Sequence, residues 1–244
     1  MAKTHTIVKL LQSQGFGTRR DCEILIADSA ITWNGAPIEY IDDAFEPLAG
    51  TPFTVHGEAH SYRHKAYLIL HKPAGYECSQ KPKEHRSVYS LLPQHLRQRG
   101  DSGSRDGVQC VGRLDQDTTG LLLLSDDGQF IHRYTSPKKQ LGKTYAVTTK
   151  HVITAELLKA LSTGVVLNDA MGDTPEPVRA SQVEQTSATT LNMTINEGRY
   201  HQVKRMIAAA SNRCEALHRL SVGEFTLPSD LDVGQWRYVA LSTT

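Results

Sequence analysis

The sequence predicts an α+β protein built on a long mixed or antiparallel sheet, with a small additional domain at its N-terminus. Three observations predict it. β-type runs recur along the chain, some continuously apolar (66–71, 121–124) and some alternating (143–148, 189–195). Helical patterns are few and fall singly between those runs. The first sixty residues hold two short helical patterns and a few strand patterns of their own.

Within residues 4–14, Ile7, Val8, Leu10 and Leu11 make a short amphipathic helix, interrupted by Gly15-Phe16-Gly17. Thr18 caps a second helix, with Asp21 in capping-box position and Ile24, Leu25 and Ala27 continuing the apolar face. Ile31-Thr32-Trp33 and Pro37-Ile38 flank Asn34-Gly35, a tight hairpin turn, and residues 52–55 form another strand. His56, His60 and His64 have a spacing that would form a metal-binding face on a helix, but Gly57 and the preceding strand argue for a linker. Residues 57–64 are thus expected to connect two domains, 1–60 and 61–244, with no metal site.

The large domain opens with a buried strand over 66–71, stopped by Pro73 and Gly75. Residues 86–92 predict a short helix ending at Pro93, and the polar, Gly/Ser-rich stretch 99–107 a mobile surface loop. Residues 109–111 lead into Gly112-Arg113-Leu114-Asp115-Gln116-Asp117-Thr118-Thr119-Gly120, a polar turn ending at a glycine. Leu121 to Leu124 then form a fully buried strand that closes in the turn 125–128. Asp115 therefore sits on a loop anchored by the core, and Gly120 supplies backbone freedom in the turn. Residues 128–134 read as a helix with Phe130, Ile131 and Tyr134 on one side, and 143–148 as a strand. Thr154 caps a helix to Leu161, with Glu156 in its first turn and Gly164 past its end. Leu191, Met193 and Ile195 line the buried side of a strand over 189–195. Residues 200–211 form a helix with a Val203, Met206, Ile207, Ala210 stripe, and Leu217, Leu220, Val222 and Phe225 belong to further β structure.

The 244 residues carry a net charge of +1, which alone points to no partner. Its distribution is informative. Residues 1–60 hold four basic and eight acidic side chains, residues 61–150 fifteen and eight, and residues 151–244 eight and ten, giving −4, +7 and −2. The positive charge surrounds Asp115. That is what a polyanionic substrate requires, although a solvated lysine-rich surface produces the same count. Cys22, Cys78, Cys110 and Cys214 form no CxxC pair, so free thiols in a reducing cytoplasm are expected. No apolar run approaches the roughly 20 residues needed to span a bilayer, and Met1 to Lys9 is polar, so neither membrane insertion nor secretion is expected.

Gly112-Arg113-Leu114-Asp115 with Asp117-Thr118-Thr119-Gly120-Leu121-Leu122 resembles the catalytic-aspartate motif of pseudouridine synthases, most of all the RsuA-type branch that modifies ribosomal RNA. Gly142-Lys143-Thr144-Tyr145 and Glu197-Gly198-Arg199-Tyr200-His201-Gln202-Val203-Lys204-Arg205-Met206 match further motifs in the right order. His71-Lys72-Pro73-Ala74-Gly75-Tyr76 resembles another, with His71 in place of the usual Asn. The N-terminal segment resembles, more loosely, the α-L type RNA-binding domain that such enzymes carry, although here it is net acidic.

The resemblance implies the synthase core with an active-site cleft across its sheet. It implies conversion of one uridine, most simply in small-subunit ribosomal RNA, to pseudouridine. Large-subunit RNA and tRNA remain open as substrates, as does a non-catalytic RNA-binding or ribosome-assembly role. The implied catalytic residues are Asp115, Tyr145 and Lys204. Asp115 either attacks the sugar or promotes elimination there. Tyr145 stacks on uracil or moves a proton. Lys204 pairs with Asp115, with Arg205 the next candidate for that pairing. Arg113, Arg199, Tyr200, His201 and Arg205 are implied along the RNA path, and Arg19 and Arg20, at a helix start, as phosphate contacts of the small domain. An isomerisation implies no metal, redox or nucleotide cofactor. The expected partner is ribosomal RNA or an assembling subunit, met by a monomer.

Overall fold

Ile7, Val8, Leu10 and Leu11 fall on the buried side of α1 (Ile7–Ser13), which follows the short strand β1 (His5–Thr6). The computed structural model describes residues 4–100, 106–167 and 176–241. α2 (Arg19–Ala27) starts with the expected capping box: the Thr18 hydroxyl accepts from the Asp21 amide at 3.0 Å, and Asp21 accepts from the Thr18 amide at 2.7 Å. Cys22 and Ile26 form its buried side. Ile24, expected there, is 50 % exposed, because a short helix packed on one layer buries only a narrow stripe.

β2 (Ile31–Trp33) and β3 (Ala36–Pro37) make the hairpin, with Asn34 and Gly35 at φ +50° and +82°. β4 (Ala44–Phe45) pairs with β1, and β5 (Pro52–Val55) pairs with both β2 and β6 (Glu58–Ser61). β6 corrects the reading of 57–64 as a linker. His56 and Gly57, at φ +50° and +80°, turn the chain back on itself, so Glu58–Ser61 complete a four-stranded sheet. A left-handed residue followed by glycine is the same two-residue turn that Asn-Gly announces, and histidine disguised it. Ile7, Leu10, Leu11, Ile31, Trp33, Phe53 and Tyr62 bury one another in an apolar cluster separate from the rest.

β7 (Tyr67–Lys72) opens the main sheet, and β8 (Tyr76–Glu77) and β9 (Arg86–Ser87) pair in parallel beyond it. The helix expected over 86–92 is instead β9 followed by a 3-10 turn at Val88–Leu91. Pro93 starts, rather than ends, a helix, α3 (Gln94–Arg97). The proline's fixed φ suits a helix entrance, and Ser87 and the turn satisfy the amides before it. Arg99, expected on a mobile loop, is 2 % exposed because three acceptors converge on it. Residues 101–105 of that stretch lie outside the described residues.

The remaining elements are β10 (Gln109–Cys110), β11 (Thr119–Ser125), α4 (Gly128–Thr135), β12 (Lys143–Thr149), α5 (Ala155–Thr163), β13 (Gln182–Gln185), β14 (Thr190–Ile195), α6 (Gln202–Ala209), β15 (Cys214–Val222), β16 (Phe225–Thr226) and β17 (Trp236–Tyr238). Among the described residues, nine strands form one sheet in the order β13-β14-β12-β15-β11-β7-β17, with β10 beside β11 and β16 beside β15. The β11–β15 pairing is parallel and the other pairings are antiparallel, so the sheet is mixed, as expected.

The leucine run of β11 is unbroken because both faces of the sheet are covered. Leu121 and Leu123 meet Phe130 and Tyr134 of α4 and Phe225, while Leu122 and Leu124 share the other layer with Leu157 and Leu161 of α5 and Met206 and Ile207 of α6. Each such leucine stabilises the fold by about 2 kcal/mol relative to exposure. Gly120 lies in β11, not in the turn where it was expected. Its φ is +103°, and a Cβ there would stand 2.3 Å from the Arg219 carbonyl oxygen. Close approach of two backbones, together with φ, requires the glycine. α6 starts at Gln202 rather than Tyr200, because His201 holds a left-handed φ of +48°.

Candidate active site

The loop 112–118 leaves β10 and returns to the sheet as β11, and a buried lysine shapes it. Lys72, at the end of β7, is fully buried. Its Nζ donates to the carbonyls of Pro73 at 3.0 Å, Gln116 at 3.2 Å and Thr118 at 2.8 Å. Three donors meet three acceptors, the arrangement that makes burial of an ammonium tolerable. Desolvation still lowers the Lys72 pKa, with partial compensation from Cys78, Asp117 and Asp115. The Gly75 amide donates to Gln116 O at 2.8 Å and the Thr118 amide to Asp115 O at 3.1 Å. With its carbonyls engaged, the loop presents the Asp115 side chain, 29 % exposed, to a cleft.

α6 and His201, the residue that precedes it, supply the facing groups. Lys204 Nζ stands 3.0 Å from Asp115 Oδ2 and 2.7 and 2.9 Å from the two Asp117 oxygens. His201 Nε2 stands 3.2 Å from Asp115 Oδ1. For Lys204, desolvation opposes its charge, but hydrogen bonds and charge from Asp117 and Asp115 outweigh it and raise its pKa. For Asp117, desolvation is again outweighed, by the Lys204 hydrogen bond and charge, and its pKa falls below the ordinary value. Lys204 and Asp117 therefore stay charged at neutral pH.

The cleft holds a cavity of about 190 Å³. Asp115, Lys204, His201, Arg113 and Arg199 line it with Tyr145 from β12, which is 7 % exposed, and Leu114, Ile195, Val203 and Leu217 provide apolar wall. Gln202, 3 % exposed, braces the rim: it accepts from the Arg199 amide at 2.8 Å and donates to Glu197 at 2.9 Å. Arg199 Nε in turn meets Glu197 at 3.2 Å.

Of the residues singled out from sequence, Asp115, Tyr145, Lys204, Arg113, Arg199 and His201 share this cavity. His201, read only as part of an RNA path, touches Asp115 itself. Tyr200 stacks on the His201 ring at 3.8 Å and is 59 % exposed outside the cavity. Arg205 does not line it, and donates to Tyr200 O at 3.3 Å. Lys204, not Arg205, is the cation on Asp115, because successive helix positions point about 100° apart. Arg19 and Arg20 lie on α2, off the cavity, and Arg19 bonds Glu23 at 2.7 Å. Sequence reading assigned no role to Lys72, Gln202 or Arg219. The signs for Lys72 are its place in the His71–Tyr76 segment, which resembles a family motif, and its position closing a buried run just before a proline.

Among the described residues, no group of three or more His, Cys, Asp and Glu side chains is placed to hold a metal ion, and no helix is long and apolar enough to cross a membrane.

A family model described as RNA pseudouridylate synthase matches residues 66–209, a span that includes Lys72, Asp115, Tyr145 and Lys204. An uncharacterised RNA pseudouridine synthase of Bacillus subtilis (strain 168) is 35% identical over 231 residues, 94% of this chain and 92% of the relative. Ribosomal small subunit pseudouridine synthase A of Escherichia coli (strain K12) is 39% identical over 171 residues, 70% of this chain and 69% of the relative. The protein of that name in Vibrio cholerae is 38% identical over 190 residues, 78% and 74% of the two chains. A crystal structure of a pseudouridylate synthase matches with a TM-score of 0.63 at 32% identity, covering 96% of each chain.

Proposed function

Since the chain belongs to the RNA pseudouridylate synthase family, we propose that it isomerises a uridine of small-subunit ribosomal RNA, with Asp115 as the essential carboxylate. The observation that carries this reading is the Asp115 carboxylate held between Lys204 and His201 on the wall of a cavity that Tyr145 also lines. The relatives named for small-subunit ribosomal RNA in two bacteria support that choice of substrate over large-subunit RNA or tRNA.

The reaction breaks the N1–C1′ bond, turns the base and joins C5 to C1′. The proton on C5 leaves and N1 gains one, so the composition is unchanged and no co-substrate is consumed. Asp115 acts at the sugar either as nucleophile on C1′ or by promoting elimination, and both routes need an ionised oxygen. Lys204 stabilises that charge, and Asp117 anchors Lys204 beside it. The target uridine must leave its stack, at a cost of a few kcal/mol. Arg113 and Arg199 meet phosphates beside the extruded nucleotide, and the Tyr145 ring offers a stacking face. Residues 1–60 serve as a small RNA-contacting domain through Arg19 and Arg20, and the protein works as a cytoplasmic monomer on ribosomal RNA or an assembling subunit.

Joining C5 to C1′ displaces the hydrogen on C5. Unmodified small-subunit ribosomal RNA carrying tritium at uracil C5 should therefore release tritium with this protein, and Asp115→Asn should abolish release while RNA affinity stays within about threefold. Release only from large-subunit RNA or tRNA would correct the substrate. Wild-type binding without release from any of the three would favour a non-catalytic RNA-binding role.

A further inference from the structure

Arg219 is buried in an unusual way. It is 2 % exposed on β15 and lines the same cavity as Asp115. Its Nε donates to Leu121 O at 2.7 Å, while Nη2 is buried with no hydrogen-bond partner. A guanidinium carries five donors and is costly to bury with donors idle. Arg219 pairs across strands with Tyr145, so the two side chains share a face of the sheet. Lys143, two residues before Tyr145 on β12, lines the cavity too, and its Nζ donates to Leu141 O at 3.1 Å. Desolvation and then the charge of Arg219 lower the Lys143 pKa, as expected of two cations held close. The cavity's own acids are engaged elsewhere, Asp115 by Lys204 and His201, and Glu197 by Arg199 and Gln202.

We propose that Arg219 and Lys143 form a cationic floor that receives the carbonyl oxygens of the extruded uracil and the negative charge those oxygens acquire in the reaction. The inference rests on the reaction proposed above and adds to it the side that handles the base. When N1–C1′ breaks, its electron pair goes to the base. The base becomes a uracil anion with charge spread over N1, O2 and O4, whether Asp115 has bonded C1′ or promoted elimination. Donors fixed in a water-poor site act more strongly on that developing charge than on the neutral base, so their contribution falls on the rate. The floor also discriminates between pyrimidines. Uracil offers two acceptor oxygens, whereas cytosine turns an amino donor toward one cation. Tyr145 and Leu217, which line the same cavity, supply apolar surface for the ring.

Two variants test this by single-turnover tritium release from C5-labelled small-subunit RNA. Lys143→Met removes a charge and leaves the Arg219–Leu121 hydrogen bond in place. Arg219→Lys keeps a charge and loses the fork. Each should slow release about 10²-fold with RNA affinity within about threefold of wild type. Should Arg219→Lys fail to fold, as judged by circular dichroism, Lys143→Met decides alone. Wild-type rates in Lys143→Met, or lost affinity with an unchanged rate at saturating enzyme, would overturn the floor and leave the reaction standing. No release by wild-type protein from small-subunit RNA, large-subunit RNA or tRNA would overturn both.

Discussion

Lys204 does at one position what neither of its acidic partners does alone. It lies within 3.0 Å of Asp115 and 2.7 Å of Asp117, and its charge is reinforced by both. A partly exposed pair of this kind adds little to stability, so its importance is electrostatic and local. Lys204→Ala should lower the single-turnover rate by about 10²-fold or more while RNA affinity changes by less than about threefold. Parallel rate and filter-binding measurements check this, and a loss confined to affinity would recast the lysine as a phosphate contact. Lys72 is the structural counterpart, an ammonium that binds backbone only and holds the loop from below.

At the scale of elements, the site depends on β11 and β15 running parallel at the centre of a sheet that is otherwise antiparallel. Their contact is close at Gly120, where Thr119 and Gly120 pair with His218 and Arg219. The same contact sets the Asp115 loop, which enters β11, against Arg219. Gly120→Ala would meet the Arg219 carbonyl at 2.3 Å with a φ of +103° and should destabilise the protein by about 2–4 kcal/mol. Chemical denaturation measures this. A variant as stable as wild type would mean the two strands separate at little cost.

Across the whole molecule, Arg99 ties the parts together. Its Nε meets Asp126 after β11 at 2.5 Å, Nη1 meets Gln14 after α1 at 2.8 Å, and Nη2 meets the Arg63 carbonyl. Asp126 in turn accepts from the Ala66 amide at 2.7 Å, just before β7. The Phe16 ring stacks on His95 at 5.3 Å beside this junction. Desolvation, then the charges of His60 and Arg99, push the His95 pKa down to about 4, so the stack is neutral at physiological pH. The small N-terminal unit is thus fastened to the segments that flank the sheet strands. Arg19→Glu combined with Arg20→Glu should weaken ribosomal RNA binding by about tenfold at low salt, with the difference shrinking as salt is raised. Equal affinity at every salt concentration would assign residues 1–60 a purely structural role.

Local pattern carried much of this protein. The periodicity of 121–124 and 189–195 marks buried and half-buried strands, Thr18 and Asp21 mark a capped helix, and the ordered motifs around Asp115, Tyr145 and Lys204 identify the family, because each of these signals lies within a few consecutive residues. Other features were invisible for the opposite reason. The hairpin at His56-Gly57 rests on backbone angles that histidine does not advertise, and the burial of Arg99 on acceptors from three separate segments. Asp115 meeting His201, Lys72 beneath the loop and Arg219 on the cavity floor join strands and a helix far apart along the chain. A sequence by itself determines which residues alternate, cap and turn, since those depend on neighbours along the chain. Which buried cation meets which oxygen was decided only when the sheet closed, because the cost of leaving a charge or carbonyl unpaired arises only once water has been excluded.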